Sequence, residues 1–107
     1  MDNNIKIYEW TSDASGDATV EVDSGFAGKK LNWVKTIPGA SVSSYTLTML
    51  DSDGFDWLCG EGAARSTSAA EVIFAQSDVI LPNSALTLTI SGAGDTKTGT
   101  VKMSIKE

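Results

Sequence analysis

The chain has no histidine, a single cysteine and a single arginine among its 107 residues. Without histidine it lacks the commonest general base at neutral pH and the commonest metal ligand. Because Cys59 is the only cysteine, an intramolecular disulfide, a redox pair and a thiolate zinc cluster are excluded. A nucleophilic serine or cysteine would also lack its usual base. We therefore expect no enzyme activity and no cofactor.

Positive charge is also scarce. Eight Lys and Arg side chains stand against fourteen Asp and Glu, which gives a formal net charge of −6. The seven lysines are scattered along the sequence. Phosphate backbones and anionic membrane surfaces are bound by clustered Lys and Arg, so neither nucleic acid nor a membrane is an expected partner.

Long apolar runs are absent as well, since no stretch approaches the roughly 18 to 20 residues that span a bilayer. The first ten residues, MDNNIKIYEW, have neither the basic start nor the apolar centre of a signal peptide. These features predict folding in a cytosol. A chain of 107 residues can bury one hydrophobic core, so residues 1–107 are expected to form a single domain.

What the sequence does contain is period-two alternation of apolar and polar residues from end to end, with turn formers between the alternating segments. About eight short strands at roughly ten-residue spacing are typical of an all-β, single-domain β-sandwich or a jelly-roll-like barrel of antiparallel strands. Strand number and alternation alone leave jelly-roll and immunoglobulin-like topologies open.

Three pairs of alternating segments are predicted to form hairpins. They join residues 5–10 to 18–22, 45–50 to 55–59, and 86–90 to 101–105. The middle pair closes on an Asp/Gly turn at residues 51–54, which is the strongest hairpin signal in the chain. Its inward residues are predicted to be core: Tyr45, Leu47, Met49, Phe55, Trp57 and Cys59. The Cys59 thiol is accordingly expected to be buried and inert.

Other segments give weaker predictions. Trp33 shares an apolar face with Leu31 and Ile37 and is expected to be core. Residues 60–70 predict a long surface loop because almost nothing in them can be buried. Alternation after residue 69 fits either a strand or a short helical turn, and we favour the strand. An apolar triplet at 79–81 is closed by Pro82 and Asn83.

The acidic turn resembles the start of a calcium loop, because Asp51, Asp53 and Asp56 bring carboxylates close together beside a glycine. An EF-hand loop counted from Asp51 would need a glutamate where this chain has Gly62, and no helices are predicted on either side. Asp and Gly also satisfy the backbone geometry of a tight turn without any metal. We interpret the segment as a turn and predict no metal.

Three residues are candidates for a contact surface. Tyr8 and Trp10 lie opposite Ile5 and Ile7 in the alternation and would form an exposed aromatic pair, although a second buried face would explain them equally well. Arg65 stands alone in a loop of small residues, where its planar guanidinium could pair with a partner's carboxylate or simply remain solvated.

Five segments together carry a resemblance. They are residues 11–20 (TSDASGDATV), 44–57 (SYTLTMLDSDGFDW), 60–65 (GEGAAR), 86–95 (LTLTISGAGD) and 99–103 (GTVKM). With their short threonine-rich strands and Asp/Gly turns, they resemble small β-rich proteins of the structural modules of tailed bacteriophages. Residues 26–40 match nothing of this kind.

The resemblance implies a virion component assembled in the bacterial host cytoplasm. The expected role is a capsid decoration or cement protein that binds the major capsid protein and copies of itself, often as a trimer. A tail, head-to-tail adaptor or fibre-associated module is the alternative. A carbohydrate-binding module that stacks sugars on Tyr8 and Trp10 is a third possibility from a different class.

Overall fold

The computed structural model describes residues 3–22, 28–74 and 85–106, and these form strands, turns and loops without a helix. Their seven strands are β1 (Asn3–Thr11), β2 (Ala18–Glu21), β3 (Lys30–Pro38), β4 (Thr46–Leu50), β5 (Glu71–Phe74), β6 (Thr87–Ser91) and β7 (Thr98–Lys106). The described part of the chain has no helix that is long and apolar enough to cross a membrane. The all-β prediction is confirmed.

The strands form two antiparallel sheets. One has four strands in the order β1-β7-β3-β5, and the other has three in the order β2-β6-β4. We call them sheet A and sheet B. About eight strands were expected and seven lie in the described residues, because the strand predicted at 55–59 does not form; the apolar triplet at 79–81 falls outside the described residues. The strand predicted after residue 69 is confirmed as β5.

Two of the predicted hairpins are wrong. β1 pairs with β7 over nine residues while β2 pairs with β6, so the first two strands belong to different sheets, and so do β6 and β7. The turn between β1 and β2 and the turn between β6 and β7, which connect the two sheets, are hydrogen-bonded to each other. Backbone N–H groups of Ser12 and Ala93 donate to the carbonyls of Lys97 and Gly16 at 2.7 and 2.9 Å. Each turn therefore satisfies the other's backbone rather than closing a local ladder.

Of the third predicted hairpin, only the turn is present in the structure. β4 pairs with β6 on one side, and on its other side the chain folds back without forming a strand. The Asp56 carboxylate accepts hydrogen bonds from the N–H groups of Met49, Leu58 and Gly60 at 2.9 to 3.0 Å. Because one side chain satisfies three backbone donors, residues 56–64 curl into successive turns in place of a return strand.

These turns still protect the edge of β4. The N–H of Trp57 donates to Met49, that of Leu47 to Gly62, and that of Arg65 to Tyr45, all to carbonyl oxygens at 2.7 to 2.8 Å. The edge strand is thereby covered by a loop, as exposed sheet edges must be to avoid pairing with other chains. Cys59 lies in the loop with a φ of 53° and is exposed, so its predicted burial is wrong.

A bulge in β3 changes which residues face the core. The register to β7 shifts between Leu31 and Trp33, so one extra residue, Asn32, lies between them. A β-bulge of this kind puts two residues opposite one. Leu31 and Val34 are consequently buried, whereas Trp33 is only half-buried and lies on the other face. Its predicted core position is incorrect.

One hydrophobic cluster contains side chains from both sheets. Sheet A contributes residues such as Val34, Val101 and Met103, and sheet B contributes residues such as Leu47 and Leu88. We call the face of each sheet that joins this cluster its inner face. Period-two alternation makes the opposite side chains an outer face. The outer faces and the loops are where contact with another molecule is possible.

Candidate protein-contact surface

The outer face of sheet A carries an apolar row interrupted by lysines. In the ladder, Ile7 pairs with Lys102, Lys102 with Lys35, and Lys35 with Val72, so one row crosses all four strands. Ile5 lies beside it in the next row. Ile5, Ile7 and Val72 are 54%, 58% and 42% exposed. Large apolar side chains that share one exposed face favour a protein-contact surface.

The charge of this face differs from that of the whole chain. Four of the seven lysines are on it by register: Lys30, Lys35, Lys102 and Lys106. Glu9 is the one carboxylate that the four described strands place there. Lys35 and Lys102 form no ion pair with another described residue. A protein with net charge −6 thus presents a positive, partly apolar surface.

Sheet B has a very different outer face. Thr19, Thr89 and Thr48 form one row across its three strands, with Thr46 and Thr87 beside it. Threonine suits a solvated sheet surface because its β-branched side chain packs on the pleat and its hydroxyl faces water. The threonine-rich outer face expected from the sequence is present here. It offers little apolar area, so sheet A provides the better contact surface.

A second exposed feature is the loop at residues 51–57. The Asp51 carboxylate accepts hydrogen bonds from the N–H groups of Asp53 and Phe55 and from the indole Nε1 of Trp57, at 2.9 to 3.0 Å. Phe55 stands edge-on to Trp57 with ring centroids 5.4 Å apart. It is nonetheless 53% exposed, so its predicted core position is wrong. Hydrogen bonds to the Asp51 carboxylate thus fix the conformation of this acidic loop, which exposes the Phe55 ring.

The aromatic contact residues expected from the sequence are both buried. Tyr8 is 8% and Trp10 3% exposed, and both join the hydrophobic cluster, while Ile5 and Ile7 point outward. The face assignment of β1 was therefore reversed. Continuing the alternation would have revealed this, because the isoleucine face continues with Glu9 and Thr11.

Arg65 is also buried, at 9% exposure, and it is an internal contact. Its Nη2 lies 3.0 Å from Oε1 of Glu71, and that same oxygen accepts a hydrogen bond from the N–H of Ser66 at 2.8 Å. The side chain ties the loop to β5. Sequence reasoning missed this because a buried arginine is rare.

Arg65 belongs to a buried polar cluster with Tyr45. The Tyr45 hydroxyl and the Nε and Nη1 of Arg65 are buried without a hydrogen-bond partner among the described residues. Burial raises the pKa of Tyr45, while the nearby Thr36 hydroxyl and the Arg65 guanidinium lower it by less. A buried polar group without a partner costs free energy, so this cluster opposes stability unless water satisfies it.

The described residues contain no group of three or more His, Cys, Asp or Glu side chains that could hold a metal ion. The Asp51 and Asp56 carboxylates are directed at backbone N–H groups of their own loop. A shallow depression of about 340 Å³ lies at one end of sheet A, and Glu9 is the only carboxylate among the residues that line it. Two carboxylates are needed for the usual glycosidase chemistry.

We predict that the 51–57 loop keeps its structure below the pH at which ordinary aspartates become protonated. The Trp57 indole, followed by the Phe55 N–H, lowers the pKa of Asp51. A lowered pKa in the folded state contributes stability that is complete above the unfolded-state pKa and is lost as the pH falls through the folded-state value. The indole proton of Trp57, followed by NMR, should shift only in that lower range.

Asp51→Asn supplies the control for this titration. It removes the ionisable group and keeps one oxygen that can accept from the Asp53 and Phe55 N–H groups, while its NH2 group takes the place of the oxygen that faces the indole. The acid-dependent shift of the Trp57 indole proton should disappear in the variant. A shift that persists in Asp51→Asn would mean that another group governs the loop.

Comparison of the chain with protein-family models, with curated proteins and with solved structures gave no match in any of the three.

Proposed function

We propose that this protein is a non-enzymatic structural component of a tailed-bacteriophage virion, most specifically a capsid decoration or cement protein. It stabilises the head by contact with the major capsid protein and with copies of itself, and it is assembled in the host cytoplasm. The observation that carries the proposal is the outer face of sheet A, where the exposed side chains of Ile7 and Val72 flank Lys35 and Lys102. The phage assignment itself rests on the resemblance of the threonine-rich strands and Asp/Gly turns.

The architecture fits this role. Two sheets around one hydrophobic cluster are consistent with a β-sandwich, and we propose that topology, with a jelly roll as one of its forms. Such a domain presents sheet faces to a partner. A stable contact of this type needs about 1,000 Å² or more of buried surface. A shell offers each small copy several contacts, so avidity can add to a modest individual surface.

The carbohydrate-binding alternative has lost its basis. It required Tyr8 and Trp10 together on the surface as a stacking platform, and both are buried. The tail or adaptor alternative differs from decoration in copy number. Hundreds of copies per particle would support decoration, whereas a small multiple that matches the symmetry of the tail axis would support the alternative.

The test uses heads isolated from the virus that encodes the protein, after deletion of its gene. We expect purified protein to co-sediment with these heads and to raise the temperature at which they break open. Ile7→Asp should abolish co-sedimentation because it places a charge in the apolar row of sheet A. Thr89→Asp makes the same kind of change on the outer face of sheet B and should leave binding intact.

Two results would overturn the proposal. One is that heads lacking this protein resist heat as well as complete heads do. The other is that the wild-type protein does not sediment with the heads that lack it. Circular dichroism on both variants checks that they are folded before binding is interpreted.

A further inference from the structure

The described residues contain four exposed large hydrophobic side chains. Three of them, Ile5, Ile7 and Val72, share the outer face of sheet A, and the fourth is Phe55 on the 51–57 loop. The loop and the face belong to different parts of the fold, since the loop follows β4 at the edge of sheet B. The protein therefore carries two separate apolar patches.

The charges around these patches are complementary. Lys35 and Lys102 lie between Ile7 and Val72 on the outer face of sheet A. Phe55 is accompanied by Asp51, Asp53 and Asp56. Of these, Asp53 is exposed, and its carboxylate accepts no hydrogen bond from a described residue. An apolar patch with cations and an apolar patch with anions suit each other.

Each patch repels the identical patch of another copy. Two copies that met face to face through sheet A would bring lysines together, and two that met loop to loop would bring aspartates together. Like charges brought together in this way cost several kcal/mol and act against the symmetric contacts. The favourable combination joins the loop of one copy to the face of another.

We infer that the Phe55 loop of one copy docks on the lysine-bearing outer face of sheet A of the next copy. This inference rests on the proposed function, because it identifies another copy of the protein as the molecule that binds the outer face of sheet A. The contact is heterologous, because different patches meet, and a heterologous contact repeats into a closed ring or an open chain of subunits.

The size of the face limits the strength of this contact. Strands about 4.8 Å apart with about 3.3 Å per residue give the four-stranded face an area of roughly 450 Å². If each of the two copies buries about this area, the interface is at the small end of specific interfaces, so the association should be weak in solution. We expect association of the isolated protein at concentrations of about 0.1 mM, which corresponds to a free energy of association of roughly 5.5 kcal/mol.

Sedimentation velocity on the purified protein, up to about 0.5 mM at low salt, tests the inference. The wild type should associate, and Lys102→Glu and Asp53→Lys should each weaken association at least about tenfold. The double variant carries both reversals, so positions 53 and 102 again have opposite charges and association should return. Phe55→Ser should also weaken association, since it removes the exposed ring without changing charge.

Two matched variants control for net charge. Lys97→Glu and Asp95→Lys make the same reversals in the turn before β7, away from both patches. They should associate as the wild type does. Circular dichroism should show all of these variants folded, because every altered side chain is at least partly exposed.

A wild type that remains monomeric at the highest concentration overturns the inference, and so does a double variant that fails to recover. Neither result touches the proposed function, which is tested by binding to heads. If Ile7→Asp abolishes head binding while Asp53→Lys and Phe55→Ser retain it, sheet A contacts the shell directly and the inference is wrong. If the wild type fails to bind heads but associates as expected, the inference stands and the proposed function fails.

Discussion

Replacing Gly99 by alanine is expected to lower the free energy of unfolding by about 2–3 kcal/mol, because the new methyl group has no space in the core. Gly99 is on the inner face of β7 opposite Trp10 of β1. A Cβ built there would overlap with Cζ2 of the Trp10 ring. For a chain of this length the loss corresponds to a fall of about 10–20 °C in the midpoint of thermal unfolding.

The reason is that Trp10 occupies the space that the missing side chain leaves. An aromatic ring that covers a cross-strand glycine compensates for the glycine's weak contribution to a strand. The same ring meets Tyr45, the residue just before β4 of sheet B, edge-on with centroids 5.3 Å apart. A displaced Trp10 would therefore disturb the packing between the sheets as well as the β1–β7 ladder.

A double-mutant cycle checks this cause. In a Trp10→Leu background the large ring is gone, and Gly99→Ala should cost much less than it does in the wild type. Thr100→Ala, a truncation at the next position of β7 on the outer face, should change stability by no more than about 0.5 kcal/mol. Equal costs of Gly99→Ala in both backgrounds would show that the alanine acts on the backbone and not on Trp10.

The alternation of the sequence predicted the type of structure well and the strand pairing poorly. Leu86, Leu88 and Ile90 and the clean alternation after Gly99 were enough to place β6 and β7. Nothing local indicates that the two belong to different sheets. A hairpin and a crossing between sheets need the same turn formers, and the choice depends on distant partners such as the contact between the Ser12 and Gly94 turns.

The contact surface could have been predicted in part. On β1 both faces carry large apolar side chains, so the alternation alone is ambiguous, and only Glu9 and Thr11 indicate which face is solvated. On β3 the bulge at Asn32 reverses the faces, and its one mark in the alternation is Lys35, which falls on the same side as Trp33 and Ile37. Phe55 was assigned to the core because the turns set by Asp56 depend on side-chain hydrogen bonds to the backbone. Simple period-two patterns do not include such bonds.

Glu71→Gln is expected to lower the free energy of unfolding by about 1–3 kcal/mol, because it removes the charge that compensates a buried guanidinium. Arg65 is nearly fully buried, and Glu71 is its one ion-pair partner among the described residues. The Glu71 side chain is 38% exposed, so solvent screens part of the interaction and the loss stays below that of a fully buried pair.

Arg65→Met should cost less than Glu71→Gln, within about 1 kcal/mol of the wild type, although it deletes the whole charged group. Methionine keeps a long apolar stem, and the substitution also removes the Nε and Nη1 donors that have no partner among the described residues. The exposed Glu71 carboxylate that is left can be solvated. The guanidinium that Glu71→Gln leaves behind is buried and cannot.

Urea unfolding of the two single variants and of the double variant separates these effects. In the Arg65→Met background Glu71→Gln should cost almost nothing, since the carboxylate no longer has a cation to compensate. The opposite order, with Arg65→Met costlier than Glu71→Gln, would mean that ordered water or another group satisfies the arginine and that the cluster with Tyr45 stabilises the fold. In that case the polar cluster between loop and sheet would contribute to the fold through its hydrogen bonds, beyond the charge of a single pair.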